Sequence, residues 1–241
     1  MSTRLYKHPV GVDVPSCTTI TGQLDKSGAL TYWAAGAACD YILDEVKNLK
    51  PLEVPNLHYR IFEIAESARK NFRTVSNKAL DVGSRIHEAI ETYLLHGKEP
   101  ITKDDQIISG FLAFLEWKDA HKVEPIKLEY TVYGYDWAGT LDFYGLFDGK
   151  KYVIDWKSSK AIYPEMRYQV AGYRSAVGDC EGCGILRLDK ETGLPEWVDT
   201  SKTYEEDLSV FNILTDLWWA RNKSKRESFL KAVGQNREGI E

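Results

Sequence analysis

Apolar positions recur at helical spacing through the first half of the chain and alternate with polar ones in the middle. Ala-rich Ala29 to Leu49 predicts a helix stopped by Pro51. Ile61, Ile64, Ala65 and Ala68 mark a second helix from Asn56 to Phe72, and a third is expected over Ser76–Leu95, ending at His96-Gly97. Ile107, Ile108, Phe111, Leu112 and Leu115 give a fourth, Asp104–His121, an inner face, and Pro125 closes it. The period then changes to two. Strands are expected over Ile126–Tyr133, Trp137–Phe147 and Lys150–Lys157, followed by a helix over Pro164–Val177. Gly184–Asp189 and Pro195–Asp199 read as a hairpin around Glu191-Thr192-Gly193. One long helix, Tyr204–Lys231, closes the chain with Leu208, Phe211, Leu214, Leu217 and Trp218 inward. Residues 1–27 read as irregular, with a short extended or turn-like piece at Val14-Pro15-Ser16-Cys17-Thr18-Thr19-Ile20. The expected organisation is one α/β domain over 1–241: a helical portion over 1–75, a core over 76–200, and a closing helix and tail over 201–241.

Asp148-Gly149 joins the second and third strands, and a type I′ turn suits that dipeptide because both central residues need positive φ. Counting back from the turn places Asp142 opposite Asp155, with Cβ atoms about 4.5–5.5 Å apart. Lys157 points from the same face, and Trp156, Ile154, Leu141 and Phe143 from the other. The register across Gly134-Tyr135-Asp136 keeps Glu129 on the face of Asp142 as well. Opposed carboxylates repel, so they imply a cation between them, and removing one charge is expected to stabilise the metal-free chain. Hard oxygen ligands suit Mg²⁺ or Mn²⁺ beside a phosphoryl group attacked by water. A single Asp-x-Lys is otherwise no more than a solvated strand with alternating charge.

Net charge is −5, so a nucleic acid must be met by a local basic path rather than by the whole molecular field. No stretch approaches ~18 consecutive apolar residues, and the start lacks a signal-peptide core, so a cytoplasmic location is expected. Four cysteines, Cys17, Cys39, Cys180 and Cys183, are too few for a disulfide scaffold and are expected to be reduced and packed.

On the third predicted helix, Ser84, His87 and Glu91 share a face. The ordered series Gly83-x-x-x-His87, Gly139-x-x-Asp142, Asp155-x-Lys157 and Gln169-x-x-x-Tyr173 resembles the PD-(D/E)XK nuclease superfamily. Within it, the series is similar to the RecB-like exonuclease branch, which includes CRISPR adaptation nucleases and many phage exonucleases. Pro15-Ser16-x-Thr18-Thr19 and the Tyr32-Trp33 helix also resemble the opening of mitochondrial and phage members.

The resemblance implies a restriction-endonuclease-like αβββαβ core, a mixed sheet flanked by helices. It implies metal binding by His87, Asp142, Asp155 and the Trp156 carbonyl, with Glu129 as a strand carboxylate that only some branches use. Lys157 is expected to orient or activate the attacking water, and Gln169 and Tyr173 to support the site or contact the substrate backbone. Members with an iron–sulfur cluster use one cysteine before the core and three after it. Here only Cys180 and Cys183 follow it, so no cluster is expected. The expected activity is a Mg²⁺- or Mn²⁺-dependent DNA exonuclease of phage or bacterial recombination, replication or repair. Single strands or frayed ends are the expected substrate, threaded beneath an arching helical portion. Arg69, Lys70, Arg73 and Lys78 are the candidates for phosphates, with Tyr32, Trp33 and Phe72 as stacking surfaces or, alternatively, core. The alternatives are a structure-specific endonuclease on the same core and an inactive nucleic-acid-binding protein.

Overall fold

A computed structural model describes residues 4–24, 27–49 and 57–238 of the chain. They form two compact units, one of Asp25–Ser84 and the other of Met1–Leu24 with Arg85–Glu241. In the first, α2 (Ser27–Lys47) and the leading part of α3 (Leu57–His96) are joined where Asn71 Nδ2 donates to the Ala37 carbonyl at 3.2 Å. Ile64 and Ala68 are buried there, as their spacing predicts, while Ile61 is exposed. The second and third predicted helices are one continuous α3. Nothing between Phe72 and Ser76 breaks a helix: Arg73, Thr74 and Val75 each keep a backbone donor and a helical φ without strain. Gly97, at φ 65°, ends it with its N–H on the Tyr93 carbonyl at 2.8 Å.

The larger unit opens with a hairpin of β1 (Leu5–Lys7) and β2 (Asp13–Pro15), where an irregular stretch is expected from sequence. Ser16 then caps α1 (Cys17–Thr21), its hydroxyl accepting from the Thr19 amide at 2.9 Å. After α3 come α4 (Asp105–Asp119), β3 (Val123–Tyr133), β4 (Ala138–Phe147), β5 (Lys150–Lys157), α5 (Pro164–Val177), β6 (Gly182–Leu188) and β7 (Pro195–Asp199). The sheet order is β3-β4-β5-β6-β7, antiparallel except for the β5–β6 pair, which α5 joins by crossover. This is a helix, three strands, a helix and a strand, in a mixed sheet with helices on both faces.

Each face has its own packing. Under α4, Trp117 stacks on Phe147 (centroids 5.3 Å apart, planes 6° apart), and Phe114 meets Trp156 edge-on at 5.7 Å. These aromatics decide the rotation of α4. Ile107, Phe111, Phe114 and Trp117 are buried, whereas Ile108 and Leu112, expected inside, are exposed. On the other face, Val170 and Tyr173 of α5 and Phe211 and Leu214 of α6 (Tyr204–Arg221) share a core with Cys17, Val153 and Ile185.

The expected single closing helix is two. At Asn222 (φ −123°, ψ 51°) the chain leaves α6, the Asn222 side-chain Nδ2 donating to the Trp218 carbonyl at 2.7 Å, before α7 (Lys223–Glu238) begins. Trp219 takes the buried place expected of Leu217, because it packs on Phe229 and its ring N–H reaches the Asp136 carbonyl at 3.2 Å. Among the described residues no helix is long and apolar enough to cross a membrane.

Candidate functional site

The Asp148-Gly149 turn has φ of 48° and 83°, the pair of positive values a type I′ hairpin requires. Its ladder runs from Phe147 opposite Lys150 to Phe143 opposite Ile154, which leaves Asp142 and Asp155 facing each other one step beyond. There the β4–β5 ladder ends, while on its other edge β5 stays paired with β6, Asp155 beside Ile185 and Lys157 beside Arg187. Asp142 occupies the opening. Its Oδ2 accepts the Trp156 amide at 2.7 Å, in place of the missing ladder carbonyl.

His87 arrives from α3, with Nδ1 3.4 Å from Asp142 Oδ1 and 3.9 Å from Glu129 Oε1. Ligand atoms of His87, Glu129 and Asp142 all lie within 4.8 Å of one another. Glu129 reaches this place from a distorted strand. Its φ is 43°, and β3 loses its ladder pairing with β4 at that residue alone between Leu128 and Tyr130. Asp155 is outside this group. Its carboxylate is turned to the Lys157 ammonium, in a buried ion pair. Ser84 is outside it too, its hydroxyl donating to the Leu80 carbonyl.

The opposed aspartates are electrostatically unequal. Burial disfavours the charge of Asp142, but His87, Lys157 and the Trp156 amide outweigh it and lower its pKa. Burial raises Asp155 to about 6, with Lys157 opposing the rise and Asp142 adding to it. Lys157 is held protonated: burial pulls its pKa down, and Asp155 and Asp142 push it above the ordinary value. Glu129 is raised to about 7, by burial first and by Asp142 next.

Behind the carboxylates, Gln169 Nε2 donates to the Tyr173 hydroxyl at 2.9 Å, both residues buried on one turn of α5. The Gly139 of the Gly-x-x-Asp motif explains itself here. A Cβ at that position would stand 2.6 Å from the Tyr173 ring and 3.1 Å from the Cys17 Cβ. Cys17 is the neighbour that reading the sequence for site residues missed. It is fully buried, its thiol 3.6 Å from the Gln169 carbonyl, and burial, then Asp155, drives its pKa up. The Pro15-Ser16 stretch carried the signal, since Ser16 caps the helix that seats it. Cys180 and Cys183 are free thiols bonded to carbonyl groups and to Thr200.

The residues expected along a DNA path belong to the Asp25–Ser84 unit. Arg69 is paired with Glu66 at 2.8 Å, Lys70, Arg73 and Lys78 are exposed, Tyr32 is 85% exposed rather than core, and Trp33 is half-buried. The Phe72 side chain lies outside the described residues.

No family model matches the chain. It is 24% identical over 147 residues to the mitochondrial genome maintenance exonuclease 1 of Homo sapiens, covering 55% of this chain and 43% of that protein. The chain thus spans less than half the length of this relative. Crystal structures of an alkaline exonuclease from Laribacter hongkongensis align at a TM-score of 0.29 and 13% identity, over 67% of this chain and 87% of the other. The same enzyme with dAMP aligns at 0.29 and 14%, over 60% and 92%. The match to a curated exonuclease agrees with the resemblance of the four ordered motifs to the PD-(D/E)XK nuclease superfamily.

Proposed function

We propose that this chain is a divalent-metal-dependent DNA exonuclease with a preference for single strands or frayed ends. The observation that carries the reading is the meeting, at one opening between β4 and β5, of Asp142, Asp155, Lys157 and the α3 residue His87. The similarity to a curated exonuclease supports it independently of the geometry.

The donor set fits a hard divalent ion. His87, Glu129 and Asp142 offer one imidazole nitrogen and two carboxylate groups within bonding reach of a common point. Asp155 and the Trp156 carbonyl are the remaining donors the proposal assigns. Such an ion, Mg²⁺ or Mn²⁺, supplies charge for the phosphoryl oxygens and lowers the pKa of water. The protein's own part is different. Lys157 is kept charged by its two carboxylate neighbours, so it acts as a hydrogen-bond donor to the phosphate oxygens and the incoming water. Water adds to phosphorus, the P–O bond to the leaving nucleotide breaks, and that oxygen takes up a proton. Gln169 and Tyr173 hold each other in place by a buried hydrogen bond and are assigned a supporting role.

Preference for single strands is proposed from the inventory of the Asp25–Ser84 unit: exposed Lys70, Arg73 and Lys78 for phosphates and an exposed Tyr32 for bases. The test compares initial rates with Mn²⁺ on a single strand, a blunt duplex, a circular strand and a strand blocked at both ends, with EDTA as control. The proposal expects fastest cutting of the free single strand and none in EDTA. Equal rates on the circular strand would make the enzyme an endonuclease, and no cutting of any substrate would reduce the chain to a binding protein.

A further inference from the structure

The parallel pairing of β5 with β6 sets where the chain emerges beside the site. Both strands finish at the same end of the sheet, Lys157 alongside Arg187, so the segments that follow them emerge side by side next to the proposed centre. In open α/β sheets, ligands are met at such carboxyl-terminal strand ends. The segment after β5 carries Lys160, exposed and only three residues past Lys157. The segment after β6 carries Lys190, half-buried.

Both segments are fixed by internal bonds. Ser159 Oγ donates to the Ala161 carbonyl at 2.7 Å. Asp189 Oδ1 accepts the amides of Glu191 and Thr192 at 2.9 and 3.1 Å, and its Oδ2 is bound by Arg187 at 3.2 Å. Gly193, at φ 74°, returns its N–H to the Asp189 carbonyl at 2.8 Å. Lys190 is therefore presented by a closed turn. Its charge is disfavoured by burial first, favoured by Glu191, disfavoured by Lys160 and favoured by Asp104, with a net lowering of its pKa.

Glu191 and Asp104 favour the Lys190 charge, while Asp104 and Asp189 also have partners of their own. Asp104 caps α4 by accepting the Gln106 amide at 3.1 Å and lies 4.0 Å from Arg85. Asp189 is saturated by its own turn and Arg187. Two lysines thus follow neighbouring strand ends beside the proposed centre, one exposed and one half-buried, where a phosphate backbone could meet both. We infer that Lys160 and Lys190 form a phosphate-binding ledge for the nucleic-acid strand where it passes the Asp142–Asp155–Lys157 centre. This rests on the proposed nuclease function and adds the place where the substrate backbone is gripped.

The test uses the full chain and the variants Lys160→Gln, Lys190→Gln and their double, with Lys150→Gln as a control at the opposite end of β5. Anisotropy of fluorescein-labelled oligothymidine, in EDTA so that nothing is cut, is titrated from about 50 to 200 mM potassium chloride. Each lysine that meets a phosphate should remove about 0.7 from the slope of log affinity against log salt, and the double variant about 1.4. With Mn²⁺ present, KM should rise more than kcat falls, and Lys→Arg at both positions should restore binding. Melting curves matched to the parent exclude misfolding, and the arginine pair keeps the test valid if the glutamines do not fold. An unchanged slope and KM in the double variant of an active enzyme overturns the ledge and leaves the nuclease reading standing. A parent chain that neither binds nor cuts the oligonucleotide overturns both.

Discussion

The Trp156 amide donates to Asp142 Oδ2 at 2.7 Å across a strand pair whose ladder has already ended at Phe143 and Ile154. A side-chain carboxylate thus takes the place of the next ladder acceptor where the β4–β5 pairing ends, and the two opposed aspartates acquire different energetics. Asp142 is stabilised as an anion, and Asp155 is pushed towards its neutral form.

Asp142→Asn tests that inequality. Simple repulsion between facing carboxylates predicts that removing either charge stabilises the metal-free chain. The structure reverses the sign for Asp142, whose folded pKa is depressed by His87, Lys157 and the Trp156 amide against the pull of burial. A depressed carboxylate contributes stability above its unfolded pKa and loses it as pH falls through the folded one. At pH 7 the variant should be less stable by about 1–3 kcal/mol, the worth of hydrogen bonds to a charged group. That corresponds to a Tm lower by about 2–4 °C per kcal/mol, and the deficit should shrink in acid. A metal-free variant melting at or above the parent at pH 7 would refute this.

Lys157→Met keeps the aliphatic stem and removes the ammonium. Lys157 touches Asp155 and lies outside the His87–Glu129–Asp142 group. Loss of a preorganised donor at the phosphate should lower kcat by at least about 10²–10³-fold. Calorimetric titration at pH 8 should still show Mn²⁺ binding. Parent-like kcat would remove Lys157 from the chemistry.

The hairpin was legible because local rules determine it. Asp-Gly demands one turn type, the turn fixes the register, and the register places Asp142, Asp155 and Lys157 on one face. Which way the Asp142 and Glu129 carboxylates turn depends on a helix far along the chain, so the approach of His87 to both was not. Rotation of α4 escaped for a similar reason: its periodicity allows either Ile108–Leu112 or Phe114–Trp117 inside, and the aromatic wall of Phe147, Trp156 and Trp197 selects the second. Unbroken α3 and broken α6–α7 show the limits of end signals where breakers are weak, as at Ser76 and Asn222.

Gly139→Ala should destabilise the chain although alanine is the mildest replacement. Its Cβ would fall 2.6 Å from the Tyr173 ring, which is locked by Gln169, and 3.1 Å from Cys17. Overpacking of a closed core costs about 1–3 kcal/mol. Gly36→Ala, in α2 with nothing within 4 Å, is the contrasting case and should gain up to about 1 kcal/mol from helix propensity. Chemical denaturation of the two variants gives both signs. Equal effects would mean that the Tyr173 ring yields freely.

Glu129 gives the sharpest reversal, between metal-free and metal-loaded protein. Its backbone is left-handed at φ 43°, a conformation costing roughly 1–2 kcal/mol for a side chain with a Cβ. Its carboxyl is raised from 4.5 to about 7, by burial first and Asp142 next, with His87 opposing. A raised acid makes the folded state bind more protons than the unfolded one, so stability declines as pH rises from about 4.5 to about 7 and stays lower above. Glu129→Gln lacks that titration. In EDTA its melting temperature should exceed the parent's at pH 8, and the advantage should vanish near pH 4. With Mn²⁺ the order should invert, because the parent gains from a carboxylate ligand and the amide does not. Glu129→Gly should behave alike at pH 8 in EDTA, with relief of the backbone strain opposing the entropy of the added glycine. If Mn²⁺ raised the melting temperature of Glu129→Gln as much as that of the parent, Glu129 would be no ligand, and the bend in β3 would need another explanation.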